Sequence, residues 1–241
     1  MPFLSVIIPA YNEERTIGAL LEKIKAVPLK DTGFQIEVVV VDDGSKDRTA
    51  QIVAQYKNVK YIQQANAGKG AAVQTGVKNC TGDFVLVQDA DLEYDPLDYI
   101  PMLRALPRTH AAVVYGSRTL GQLRGRGWRL FPGKHPAQGI GPWLANWVLA
   151  FWILLLYQRW ITDSLTAYKL YPRRLMQSMR VETKGFEADH EMTAKIIRQG
   201  LPIIEVPIRY SPRTVEQGKK IRAIDGLIAL KTLWKYRFSS I

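Results

Sequence analysis

One cysteine, three histidines and no apolar run long enough to span a bilayer mark what this 241-residue chain lacks. A lone Cys80 forbids an intrachain disulfide and a multi-cysteine zinc site, and a reducing cytoplasm is its simplest compartment. So few imidazoles leave little for histidine chemistry; His190 beside Asp189 is a weak acid/base or metal signal without a placed partner. The opening MPFLSVIIPAYNEE has no positive n-region, and its apolar stretch ends in a turn, so it reads as a first strand and not as a signal peptide. Repeats and low-complexity tracts are also missing, while 47% hydrophobic residues and six tryptophans exclude a disordered chain. The length suits one large α/β domain with an add-on, and a single domain over 1–241 is expected.

The net charge of +11 hides a split. Residues 1–100 carry 10 Lys+Arg against 14 Asp+Glu, whereas residues 101–241 carry 23 against 8. A basic, tryptophan-rich second half suits anionic lipid headgroups, phosphorylated substrates or nucleic acid, or is simply a solvated basic face.

In the first hundred residues the short apolar runs FLSVIIPAY, IEVVVVDDG, VKYIQQ and DFVLVQDAD alternate with helical patterns over 13–26, 45–56, 68–79 and 96–106; AAVVYG at 111–116 adds another strand. Near-continuous Val/Ile runs without polar alternation are strands buried on both faces, hence a mostly parallel sheet covered by helices in a doubly wound α/β fold. Ligands bind such sheets outside the carboxyl ends of the strands. Tyr11, Asn12 and Glu13 follow the first strand, Asp42 and Asp43 the second, and Asp89, Asp91 and Glu93 the fourth. Single acids often serve as caps, and Asp47 before Thr49 reads as one. Three acidic turns on one rim read as a site.

Within VQDADLEYDP, Asp89, Asp91, Glu93 and Asp95 crowd together behind a buried strand. Two unit charges about 4 Å apart at an effective dielectric near 20 repel by roughly 4 kcal/mol. Such a cluster calls for a cation, and hard oxygen donors suit magnesium or manganese alongside substrate phosphates. The alternative, an exposed acidic loop that binds nothing, sits poorly behind a buried strand.

SVIIPAYNEE, VVVVDDGSKDRT, NAGKGAAVQTG and VQDADLEYDP, in that order, resemble the nucleotide-sugar domain of family 2 glycosyltransferases. Downstream, YGSR, ITDSLTAYKLYP, GFEADHEMTAKI and EVPIRYSPRTVEQGKKIR resemble the dolichyl- or polyprenyl-phosphate mannose and glucose synthase branch. The resemblance implies a GT-A type nucleotide-sugar-binding fold and inverting transfer of a hexose from a nucleotide diphosphate sugar to a polyprenyl phosphate. It implies that Pro9 and Tyr11 pack around the nucleobase, Glu13 meets the ribose, Asp42 binds the base edge, Asp43 supports that loop and Lys69 lies near the nucleotide. Asp89 and Asp91 match the Asp-any-Asp element whose Mg2+ or Mn2+ bridges the donor pyrophosphate, and Glu93 falls where a third ligand, commonly Gln, is found. Arg118 matches an arginine facing the acceptor phosphate. Arg213 falls in a loop that closes over the phosphates, with Lys219 and Lys220 behind it as further acceptor-phosphate contacts. Asp163 is matched to sugar hydroxyls, although TDSLTAYK has Ala167 where glycine is usual. Asp91, Arg118 and Asp163 are thus the catalytic candidates. NAGKG does not qualify as an ATP-binding phosphate loop, which needs four residues between its glycines and a Ser/Thr after the Lys.

An acceptor phosphate is already ionised near pH 7 and needs no general base; a saccharide or lipid hydroxyl would need one, and Asp163, Asp189 and Glu191 are the candidates for it. A non-catalytic membrane- or nucleic-acid-binding module would leave the acidic turns unexplained, and those turns would repel a polyanion, so no nucleic acid partner is expected.

Two segments point to a membrane. WLANWVLAFWILLLY at 143–157 has one strongly polar residue, Asn146, and at 15 residues is shorter than the roughly 20 a spanning helix needs. It reads as an interfacial helix within an apolar insertion over 119–162, with Trp143, Trp147, Trp152 and Trp160 at headgroup depth, or as a helix packed within the protein or at a dimer contact. Residues 222–241 form an apolar stripe with basic flanks, suited to an anionic membrane surface or to ordinary packing on the core. Attachment would be peripheral, or through a membrane-protein partner or a second copy.

Overall fold

The computed structural model describes residues 1–107, 112–123, 140–183, 185, 187–212 and 223–239. The Val/Ile runs become β1 (Phe3–Ala10) and β2 (Gln35–Asp42), whose central residues are fully buried, as strands covered on both faces must be. Between them α1 (Ile17–Lys25) turns Ile17, Leu20, Leu21 and Ile24 inward, the stripe that a 3.6-residue period lays on one face. The next helix is shorter than its pattern: α2 holds only Thr49–Val53, because Asp47 binds the Thr49 N–H at 3.0 Å and ends the preceding turn late. β3 (Val59–Gln63), α3 (Lys69–Asn79) and β4 (Phe84–Val87) follow as expected. The 96–106 pattern splits into a tight turn at Pro96–Asp98, capped by Asp95 on the Leu97 N–H, and α4 (Tyr99–Arg104).

Beyond α4 the chain lays down β5 (Val113–Ser117), α5 (Arg118–Leu123), α6 (Ile140–Tyr157), β6 (Lys169–Pro172), α7 (Arg173–Ser178), α8 (Ala188–Arg198), β7 (Ile203–Pro207) and α9 (Ala223–Phe238). The seven strands are ordered β3-β2-β1-β4-β6-β5-β7, and β6 alone runs antiparallel to its neighbours. β1 pairs with β2 on one side and β4 on the other, both parallel. Winding therefore reverses at β1, and a crevice opens beyond the carboxyl ends of β1 and β4.

One face of the sheet packs on α1, α2 and α4; the other carries α3, α6, α7, α8 and α9. α6 buries Leu149, Ala150 and Ile153, while its Asn146 turns inward and donates to the Thr162 carbonyl at 2.7 Å and to Thr119 Oγ1 at 3.2 Å. It is clamped to α9: Trp152 Nε1 donates to the Leu230 carbonyl, Tyr157 Oη to that of Leu233, and the rings of Trp152 and Trp234 stack 6.0 Å apart. The opposite side of the pair exposes Leu144, Val148, Phe151 and Leu155 of α6 and Leu227, Trp234 and Phe238 of α9. The two readings of the apolar run thus apply to opposite faces of one helix. Among the described residues no helix is long and apolar enough to cross a membrane.

Candidate active site

At the crevice, the turns after β1, β2 and β4 meet the start of α3 around a cavity of about 200 Å3. It is lined by Pro9, Tyr11 and Glu13 from the first turn, Asp43 from the second, Asp89, Asp91 and Glu93 from the third, and also by Lys69, Arg118 and Asp189. Two non-glycine residues of these turns adopt left-handed backbone, Asn12 at φ 55° and Leu92 at φ 62°. Asn12 is held there by hydrogen bonds with Ser45 and the Lys46 N–H. Leu92, between the acids Asp91 and Glu93, has no such excuse as a residue type; local strain of this kind collects where side chains must be aimed.

The Asp42/Asp43 pair divides differently from expectation. Asp42 is fully buried and accepts from the Ser45 N–H and the Tyr61 hydroxyl, both at 2.7 Å, so it is turned away from the cavity. Asp43 faces it and also ties down the next loop, accepting from Gln64 Nε2, the Ala67 N–H and the Gly68 N–H at 2.7 to 2.9 Å. Gly68 sits at φ 93°, which an L side chain resists, and so delivers Lys69 to the first turn of α3.

Lys69 Nζ lies 2.6 Å from Asp89 Oδ1. Burial alone would depress its pKa, but the carboxylates of Asp89, Asp189 and Asp91 outweigh that and hold it above the usual lysine range. Asp91 accepts from the Glu93 N–H, and Glu93 accepts from the Tyr210 hydroxyl at 2.9 Å. The expected ligand trio is therefore not a ready cage: among the described residues no three His, Cys, Asp or Glu side chains are grouped to hold a metal ion. One or two hard carboxylates beside open space still fit magnesium or manganese, which take their remaining oxygens from substrate phosphates and water.

Arg118 opens α5 directly behind β5 and forms a fork with Asp163, Nε to Oδ2 and Nη2 to Oδ1 both at 2.7 Å, over the ring of Tyr210. Desolvation opposes the charge, yet Asp163 keeps the guanidinium firmly protonated. Asp163 is 1% exposed and spends both oxygens on Arg118, so its expected role with sugar hydroxyls, or as a base, gives way to positioning the arginine. Glu205 of β7 fixes the Asp163 loop by accepting from the N–H groups of Thr162 and Asp163. Glu191, the other candidate base, is fully buried and bound to Lys195 and to the N–H groups of Glu182 and Thr183.

Asp189, at the start of α8, does reach the cavity. Burial pushes its pKa up, but Lys169, 3.4 Å away, together with Lys69 and His190, brings it below the usual carboxylate value. His190 beside it is buried, and desolvation with the Lys169 charge pushes its pKa down to about 4, so it is neutral at pH 7. Tyr210, Glu205 and Lys169 were not singled out from the sequence; EVPIRY carried the first two only as part of a longer motif. Arg213, Lys219 and Lys220 lie outside the described residues.

A doubly wound α/β fold with its acids at the switch point is the class this geometry defines. The sequence places it further: residues 5–159 match the model of glycosyl transferase family 2, and the chain belongs to that family. A dolichyl-phosphate beta-glucosyltransferase of Trichomonas vaginalis is 30% identical over 95% of this chain and 70% of its own length. An undecaprenyl-phosphate 4-deoxy-4-formamido-L-arabinose transferase of Pseudomonas savastanoi pv. phaseolicola is 37% identical over 55% of this chain and 40% of its own. Among solved structures, glucosyl-3-phosphoglycerate synthase of Mycobacterium tuberculosis, in complex with Mn2+, UDP and phosphoglyceric acid, superposes with a TM-score of 0.69 at 20% identity, over 100% of this chain and 80% of that one. That likeness is one of fold. The chain is a glycosyltransferase, and the non-catalytic module is set aside.

Proposed function

We propose that this protein transfers a hexose, with inversion, from a nucleotide diphosphate sugar to a dolichyl or undecaprenyl phosphate, attached peripherally at the cytoplasmic face of a membrane. One juxtaposition carries the reading: the acid turn of β4 and the forked Arg118 line a single cavity at the switch point. The similarity to polyprenyl-phosphate sugar transferases supports the acceptor.

Pro9 and Tyr11 would pack on the base, Glu13 would meet the ribose, and Asp42 and Asp43 would shape the base-facing loop. Asp89 and Asp91, with Glu93 beyond them, would hold Mg2+ or Mn2+, which when bound neutralises charge on the departing diphosphate. Lys69 adds a fixed cation on the same side, and Arg213 would close over the phosphates. Arg118, with Lys219 and Lys220, would hold the acceptor phosphate so that one of its oxygens forms the bond to the anomeric carbon as the bond to the diphosphate oxygen breaks; Asp163 keeps the guanidinium aimed. The exposed stripe of α6 and α9, with Lys231, Lys235 and Arg237 beside it, would lie in the headgroup layer.

Purified protein incubated with labelled UDP- and GDP-hexoses and a short polyprenyl phosphate is expected to form a glycosylated lipid phosphate, and to stop in EDTA. No product from any donor would overturn the reading. The ionised Asp189 at the cavity favours a second reading, transfer to a saccharide or lipid hydroxyl with Asp189 as base. Asp189→Asn separates them: phosphate transfer survives it within a few-fold, hydroxyl transfer does not.

A further inference from the structure

A second cavity, of about 420 Å3, lies beneath the first, between α3, α7 and the start of α8. The two meet at Lys69 and Asp189, which line both. Away from that mouth the inner walls are apolar, with Val73 and Val77 of α3, Val87 of β4, Met176 and Met179 around the end of α7, and Met192 of α8, while the exposed Lys78, Ser178 and Arg180 stand at the outer edge. On the outer side it is bridged lightly, Gln74 Nε2 reaching the Val181 and Thr183 carbonyls at 3.5 and 3.4 Å and Gln177 Nε2 the Val77 carbonyl at 3.4 Å. Glu191, gripping the N–H groups of Glu182 and Thr183, fixes that wall from behind.

We propose that this cavity receives the first isoprene units of the acceptor, whose phosphate remains in the site above; the proposal rests on the polyprenyl-phosphate reading. Three observations carry it. The volume falls within the roughly 300–1,000 Å3 of small-molecule sites, and apolar walls of this kind stay dry and take apolar ligands. Thioether side chains, unbranched and adaptable, suit a chain that carries a methyl branch on every unit. A sugar, with a hydroxyl on nearly every carbon, would find few hydrogen-bond partners on the inner walls, whose polar groups lie at the mouth and along the outer edge.

At the mouth, Lys69 pairs with Asp89, and the buried Lys169 behind it pairs with Asp189, so each of these two carboxylates has a cation beside it. The lining residues also share one core layer with Leu149 and Ile153 of α6 and Leu233 of α9. The cavity thus lies on the same side of the sheet as the exposed apolar stripe, the side from which a lipid acceptor would arrive.

Dimethylallyl phosphate and geranyl phosphate, both soluble as monomers, give the test on the full-length protein. The wild type should use geranyl phosphate at least roughly tenfold better in kcat/KM, the effect of about two buried methylenes. Gln74→Trp, which puts an indole across the cavity without touching the acidic turns, should erase that preference, raising KM for geranyl phosphate far more than for dimethylallyl phosphate. Equal use of both acceptors by the wild type, or an unchanged ratio in the variant, overturns the cavity assignment while leaving polyprenyl transfer intact. A wild type that glycosylates neither acceptor but does glycosylate a hydroxyl overturns both. Should the variant fail to fold, photolabelling the wild type with a diazirine on the second isoprene of geranyl phosphate decides: adducts on α3, α7 or α8 support the proposal, and adducts confined to α6 and α9 refute it.

Discussion

The rim over β1, β2 and β4 and the rim over β5, β6 and β7 solve the same problem by different means. On the first, each acid is held by neighbours close in sequence or one strand away: Asp42 by Ser45, Asp43 by Gly68, Asp91 by the Glu93 N–H. Of these, Asp91 sits in a turn that water reaches, whereas Asp42 and Asp43 are buried against their partners. On the second, Arg118 is fixed by Asp163 and the Asp163 loop by Glu205, each more than 40 residues away, and the buried Lys169 is paired with Asp189. The first rim leaves the half-buried acids of the β4 turn open to a cation and a solvated nucleotide. The second exchanges that openness for a rigid guanidinium in a low-dielectric wall, where a phosphate is gripped more strongly.

If this contrast is real, removing charge from the two rims should hurt in different ways. Asp91→Asn should cut transfer on the order of 10^3-fold, the upper range for losing one preorganised charge partner, with the melting temperature unchanged because Asp91 is not part of the packed core. Near-wild-type turnover would remove Asp91 from the chemistry. Arg118→Lys should cost about 10^2-fold in kcat/KM, since a lysine cannot make the fork to Asp163. Here the melting temperature should also fall, as Asp163 is left 1% exposed with an imperfect partner. An Arg118→Lys protein as active as the wild type would show that the buried pair is scaffold alone.

The contrast also explains how much could be read in advance. Acidic turns behind Val/Ile strands are patterns in contiguous sequence, and the strands, the switch-point rim and the candidate residues on it were all legible there. β6 and β7 were not, because Lys169–Pro172 and Ile203–Pro207 interleave Lys169, Glu205 and prolines with their apolar residues and so lack the unbroken run that marks the equally short β4. Nor was the turning inward of Asp163, because nothing in TDSLTAYK announces that an arginine 45 residues earlier will occupy both its oxygens. Asn146 is the same lesson in reverse: the one strongly polar residue of the apolar run supplies the hydrogen bond that moors α6 to the Asp163 loop.

The membrane-facing pair can be tested more gently. Deleting α9 would strip Ala229, Leu233 and Tyr236 from the core, so a truncation after residue 222 confounds binding with unfolding. Lys231→Gln with Lys235→Gln spares those residues. At about 1 kcal/mol per basic residue near an anionic surface, the double variant should bind phosphatidylserine vesicles roughly 30-fold more weakly at low salt, with the fold intact. Co-sedimentation equal to the wild type would leave the apolar stripe to some other contact.

The smallest effect belongs to His190, and it sharpens the contrast because it concerns a buried group on the second rim that plays no part in the proposed chemistry. Its pKa is pushed down to about 4 in the fold, by desolvation first and the Lys169 charge second, against an ordinary value of 6.5, while Asp189 pulls the other way. The unfolded chain therefore binds a proton between those two values that the native protein refuses. Stability contributed by the neutral ring is present above pH 6.5 and is lost as pH falls toward 4. Between pH 7 and 5.5 this amounts to about 1 kcal/mol. Denaturant midpoints measured at the two pH values should differ by that much in the wild type and converge in His190→Gln, whose side chain does not titrate. A wild type equally stable at both would mean that the ring is not kept neutral, and that the second rim is wetter than its packing implies.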